Sequence, residues 1–220
     1  MQDQEYQFDL SGGLACLDFV NTISRTAPSE REHLGRYQDL VAFARQAGIV
    51  SDDLAARLRD QAAARPEEAE ATRRRATALR EALFELFTAV AAGQAPPPPE
   101  LAHLNGELAA ALAQLRVGAP DRALHPGVRE AADGHDAALA WSWADAAVRL
   151  DAPLWPLVRL AAELLVGPEL ERVRECAAGD CRWLFLDTSK NRSRRWCDMK
   201  SCGNRAKVRR FYRRKRATTA

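Results

Sequence analysis

Four of the five cysteines form two C-x4-C pairs, Cys176 with Cys181 and Cys197 with Cys202, and fifteen residues separate the pairs. Thiols two to four residues apart let one tight turn offer two thiolates to a single ion, and a connector of about 15 to 20 residues lets a second turn complete the tetrahedron that Zn²⁺ prefers. The spacing predicts one structural zinc on Cys176, Cys181, Cys197 and Cys202. Iron on four thiolates shares the spacing and stays open as the lesser alternative. Two disulfides would need an oxidising compartment, and the opening MQDQEYQFDL has neither the basic nor the apolar region of a secretory signal. A cytoplasmic location is expected accordingly. Because four thiolates fill a zinc tetrahedron and leave no position for water, the metal is expected to be structural and not catalytic.

Other residue types offer no competing chemistry. The histidines His33, His103, His125 and His135 have no H-x3-H or HExxH spacing, and the chain has no phosphate-binding glycine loop, nucleophile elbow or dinucleotide fingerprint. The protein is not expected to be an enzyme. Cys16, between Leu14 and Leu17, has no flanking base to lower its pKa and reads as a buried thiol. Asp18 and Asn21 would project together from a helix and, inside an apolar run, need hydrogen-bond partners. They either line a small-molecule pocket or, as we favour, brace the Ser11-Gly12-Gly13 turn or a neighbouring loop.

Charge is sorted along the chain. Residues 176–220 carry fourteen Lys or Arg against three Asp, a net of +11, while residues 1–175 carry eighteen basic against twenty-seven acidic residues, a net of −9. Arginine outnumbers lysine 28 to 4, yet all four lysines (Lys190, Lys200, Lys207, Lys215) lie in the cysteine module, so both residue types gather there. Such a concentration marks a polyanion partner, nucleic acid first. No apolar run reaches the roughly 20 residues that a membrane helix needs.

The elements that must position these groups follow from periodicity and stop signals. An alternating edge strand is expected at Tyr6 to Leu10, then a short helix over residues 14–23. Next come a helix from Tyr37 to Ala47 ending at Gly48, a Ser51-capped helix through Ala63, and the longest helix from Glu67 to Ala92. Ala95 to Pro99 reads as an extended connector, and Leu101 to Leu115 as a helix. Ala138 to Ala144 reads as a strand with core-facing tryptophans, paired near Arg122 to His125. A helix after Pro153 ends at Gly167-Pro168, and one or two further turns lead to Cys176. Between the cysteine pairs, Arg182 to Asp187 and Arg194 to Trp196 read as a β-hairpin around residues 188–193, with Trp183, Phe185 and Trp196 as a small core that a metal must complete. After Cys202 a basic helix is expected, with Val208, Phe211 and Tyr212 as its docking stripe. The fold class is thus α+β: a mainly α-helical N-terminal domain, residues 1–167, with a small antiparallel β element, plus a C-terminal four-cysteine zinc finger, residues 172–216, built as a β-hairpin followed by a helix.

The stretch from Cys176 to Arg216 resembles the CGNR zinc finger, named for the tetrapeptide that stands here as Cys202-Gly203-Asn204-Arg205; Phe185-x-Asp187 and Arg195-Trp196-Cys197-x-Met199 match its pattern. The N-terminal part resembles the ABATE domain through Gly12-Gly13-Leu14, Leu17-Asp18-Phe19-Val20-Asn21-Thr22, the Tyr37 to Gly48 helix and Leu160 to Leu165. The resemblance implies a bacterial, stress-induced transcriptional regulator that binds nucleic acid.

The residues themselves leave several readings open. In the leading one the finger binds DNA while the N-terminal domain senses a small-molecule effector or forms a homodimer. Arg205 and Arg209 would then read base edges, and Arg194, Arg195, Lys207, Arg210, Arg213 and Arg214 would hold phosphates. An RNA-binding protein stacking bases on Trp183 or Phe185 is the second. The third is an interaction module whose basic helix docks on an acidic surface.

Overall fold

In the computed structural model, which describes residues 5–26, 29–119, 123–124, 139–209 and 211, the unbroken apolar stripe after Arg65 becomes the longest helix. This helix, α4 (Pro66–Ala91), buries Leu79, Leu83, Phe84, Leu86 and Phe87 along one face. Pro66 opens it at a position where its missing N–H is no loss. Around α4 pack α1 (Ala15–Val20), α2 (Tyr37–Gln46), α3 (Asp52–Ala64), α5 (Pro98–Leu112) and α6 (Leu154–Val166). The Ser51 hydroxyl accepts from Leu54 N at 3.2 Å and caps α3 as expected. Among the described residues no helix is long and apolar enough to cross a membrane.

Among the described residues, strands form three antiparallel pairs: β1 (Ile23–Thr26) with β2 (Ser29–Glu32), β3 (Leu115–Gly118) with β4 (Ala140–Trp143), and β5 (Val173–Glu175) with β6 (Leu184–Leu186). The helices and small sheets together give the α+β class that was expected.

Several local expectations are corrected. Tyr6 to Leu10 forms no strand and pairs with none among the described residues; the Gln46 side-chain amide binds the backbone there instead, its oxygen accepting from Phe8 N at 2.9 Å and its nitrogen donating to Tyr6 O at 2.8 Å. The first helix ends at Val20, and Ile23 starts β1, whose hairpin partner places Glu32 against the buried Arg80 at 2.6 and 2.7 Å. Pro98 and Pro99 belong to the first turn of α5, so only the residues before them form the connector. Leu115 belongs to β3, and β4 pairs there instead of near Arg122 and His125, which themselves lie outside the described residues. Trp143 is buried at 4% exposure, whereas Trp141 on the same strand face stays 49% exposed, so the expected core packing holds for one tryptophan of the two. Residues 168–175 form a 3-10 turn, Pro168–Arg172, followed by β5 instead of further helix.

The last pair of strands makes the chief difference. β6 pairs backwards with β5, so the hairpin loop contains Cys176 and Cys181, and residues 194–196 form no strand. Alternation along β6 then divides two cores: Leu184 and Leu186 join Val173 in the main helical core, while Phe185 faces the four cysteines with Ala178, Trp183 and Trp196.

Candidate metal centre

The β5–β6 ladder carries the first cysteine pair. Cys176 N donates to Trp183 O at 2.9 Å, continuing the ladder by one rung, and Cys181 N donates to Ala178 O at 2.9 Å to close the turn between the two thiols. The second pair is brought in by main-chain contacts: Ala177 N donates to Arg195 O at 2.8 Å, and Cys197 N donates to Cys176 Sγ at 3.5 Å. Asp198 shapes the turn between Cys197 and Cys202, its carboxylate accepting from Ser201 N at 2.7 Å and its carbonyl from Gly203 N at 3.0 Å.

The four sulfurs all lie within 4.8 Å of one another, with Cys181–Cys197 at 3.9 Å and Cys197–Cys202 at 3.6 Å. Tetrahedral Zn–S bonds of about 2.3 Å require sulfur–sulfur edges of about 3.8 Å, so the cage fits one such ion. All four are free thiols, at most 8% exposed. Hydrogen bonds among the closely spaced sulfurs couple their ionisation: those from Cys181 and then Cys197 push the Cys176 thiol downward, and those with Cys176 push Cys181 and Cys197 upward. A divalent ion would take the place of the thiol protons.

Each member of the tetrapeptide Cys202-Gly203-Asn204-Arg205 has a place. Cys202 is a ligand, and Gly203 lies under Met199, whose Sδ would stand 2.9 Å from an added Cβ. Asn204 Nδ2 donates to Lys200 O at 2.9 Å, satisfying a carbonyl at the turn. Arg205 Nη2 donates to Cys202 Sγ at 2.9 Å, and its Nε lies 3.7 Å from Asp180 Oδ2. Arg209 adds a two-pronged bond to the Asp180 carboxylate at 3.2 and 2.7 Å, fastening residues 204–209, which are helical, to the first cysteine turn. Four thiolates around Zn²⁺ carry a formal −2, which the Arg205 guanidinium partly offsets.

The other expected nucleic-acid contacts are distributed unevenly. Arg194 turns inward: its guanidinium lies 4.3 Å over the Phe185 ring, donates to Trp196 O at 3.1 Å and also reaches Cys197 O. Arg195 and Lys207 are exposed, and Arg210, Arg213 and Arg214 lie outside the described residues. The expected docking stripe is open at Val208, which is 53% exposed, and Tyr212 is outside the described residues.

Asp18 and Asn21 meet the finger from the other side. Gly12 N donates to the Asp18 carboxylate at 2.7 Å, and Gly12 O accepts from Leu186 N at 2.8 Å. Gly13, at φ +91, brings its backbone against Leu186, a conformation and an approach that suit glycine. The Asn21 amide pairs with Leu184 like a strand residue, donating to its carbonyl at 2.8 Å and accepting from its N–H at 3.0 Å. Both side chains are therefore engaged by protein groups, in the bracing arrangement. Burial pushes the Asp18 carboxyl up to about 7 against the opposing hydrogen bond from Gly12. Cys16 is fully buried, and its thiol is pushed up to about 12 by that burial.

Sequence reasoning assigned no role to the three aspartates of the module, although it placed Asp187 in the Phe185-x-Asp187 pattern. The Asp198-x-x-Ser201 spacing is a local capping signal that could have been read. Asp180 meets Arg209 across twenty-nine positions, and nothing local announces that pair.

Two family models match consecutive stretches of the chain. Residues 172–215 match the CGNR zinc finger, and residues 13–168 match ABATE, described as "Putative stress-induced transcription regulator". No curated protein matches the chain.

Proposed function

The chain belongs to the ABATE family and carries a CGNR zinc finger, and from that premise we propose that it is a DNA-binding transcriptional regulator of the cytoplasm. In this reading the zinc module contacts DNA and the helical domain senses a signal or dimerises. The observation that carries it is the fate of the module's three carboxylates. Asp180 is engaged by Arg205 and Arg209, Asp187 by Ser189 and the Arg194 backbone, and Asp198 by its own turn. Lys190, Arg195, Lys200 and Lys207 thus have no ion pair among the described residues, and a net charge of +11 over residues 176–220 favours an external polyanion. The metal is structural and the protein is not an enzyme.

DNA is favoured over RNA because the aromatic side chains that would stack unpaired bases are buried, in the case of Phe185, or half-buried, in the case of Trp183. Phe185 is fully buried beneath Arg194, and Trp183 packs against the cysteine cluster. Competition between duplex DNA and single-stranded RNA for the zinc-loaded, full-length protein tests this choice. Duplex should displace the single strand, and stronger RNA binding that falls in Trp183→Ala would reverse it.

A further inference from the structure

A second cationic surface is carried by the loop that follows β6. The buried Asp187 carboxylate accepts from Ser189 N at 2.9 Å, Ser189 Oγ at 2.5 Å and Arg194 N at 3.0 Å. Ser189 in turn accepts from Arg192 N at 3.1 Å through its carbonyl and from Ser193 N at 2.9 Å through its hydroxyl. These bonds close residues 187–194 into a fixed loop and hold Arg192 in the left-handed region at φ +49.

The loop leaves Lys190 and Arg192 exposed, with exposed Arg195 just beyond, and an open cavity of about 410 Å³ beside it is lined by Arg172, Thr188 and Arg192, with Glu169 also on its wall. Among the described residues, the carboxylate paired with Arg192 is Glu171 at 3.1 Å, with side chains 47% and 76% exposed. A pair that open to water is weak, and a phosphate can take its place. Arg205 and Arg209, by contrast, already hold Asp180 and the Cys202 sulfur.

We propose that residues 188–195, through Lys190, Arg192 and Arg195 with Arg172 alongside, form a preformed anchor for the phosphate backbone of duplex DNA, while Arg205 and Arg209 serve the zinc turns. The proposal rests on the DNA-binding reading above and relocates contacts within it from the helix to the loop. A loop already fixed by its own hydrogen bonds loses little freedom on binding, and contacts to phosphates position a duplex without reading its sequence.

The test is fluorescence anisotropy of a labelled random-sequence duplex with full-length, zinc-loaded protein across a KCl series. The variant is Lys190→Gln/Arg192→Asn/Arg195→Gln, asparagine being chosen because it tolerates the left-handed conformation; unchanged zinc content and circular dichroism confirm its fold. Each lost phosphate contact should flatten the slope of log Kobs against log salt by about 0.9, so the triple variant should be flatter by about 2 to 3 and weaker on every duplex alike. Wild-type binding with a slope that the triple variant leaves unchanged overturns the anchor and leaves the DNA-binding reading standing. Absence of salt-dependent wild-type binding overturns both. Displacement of the duplex by poly-glutamate at equal charge concentration would reassign the loop to acidic proteins and also overturn it.

Discussion

At the scale of single residues, the zinc turns depend on side chains that are not ligands. Arg205 contacts the Cys202 sulfur directly, so Arg205→Gln should weaken zinc binding by about 10- to 100-fold, the usual effect of losing a group behind the ligand. Arg205→Lys keeps the charge but loses the planar fork, and should fall between. Competition with a chromophoric chelator measures both, and wild-type affinity in the Gln variant would remove Arg205 from this role. Asp18 makes a pH prediction of definite sign. Its carboxyl rises from an ordinary value near 3.8 to about 7 in the fold. Stability from this group is therefore complete below about pH 4 and is lost as pH rises through about 7, because the charged form is the one that burial penalises. Asp18→Asn retains the acceptor for Gly12 N without the charge, and its melting temperature should fall less than that of the wild type over that interval. Equal pH slopes would show that Asp18 is not the group responsible.

At the scale of elements, β6 is a wall shared by two cores. One edge pairs with β5 and the other is held by Gly12 and Asn21, so the finger's strand is part of the helical domain's construction. Asn21→Ala would leave the buried N–H and C=O of Leu184 without partners, and the expected loss is about 2 to 4 kcal/mol of unfolding free energy in urea. A loss below about 0.5 kcal/mol would mean that water replaces the amide. The helices were legible because their apolar faces repeat and their ends carry Gly48, Ser51 and Gly167-Pro168 in local sequence. The cage was legible because ligand spacing is itself local. β5 was not, since Val173-Arg174-Glu175 offers a single apolar residue and its strand character comes from pairing with Leu184 to Leu186. The inward turn of Arg194 and the Asp180–Arg209 pair were hidden for the same reason: each partner is set by tertiary geometry.

At the scale of the whole molecule, an acidic helical body carries a basic, metal-held module on a strand that it clamps. Charge is divided along the chain, −9 before Cys176 and +11 from it onward, so the module and not the body that supports it carries the cationic surface. The fold of the module around Phe185 is expected to need the ion, because a core of four thiols, Ala178, one buried phenylalanine and two half-buried tryptophans is small. DNA binding should therefore depend on zinc as well as on salt. The decisive measurement is duplex binding by the full-length protein across a salt series, before and after removal of zinc with a chelator and again after its return. The expected result is an affinity that falls steeply with salt, is lost with the metal and is recovered with it. Binding that is absent, indifferent to salt or unchanged without zinc would contradict the central claim.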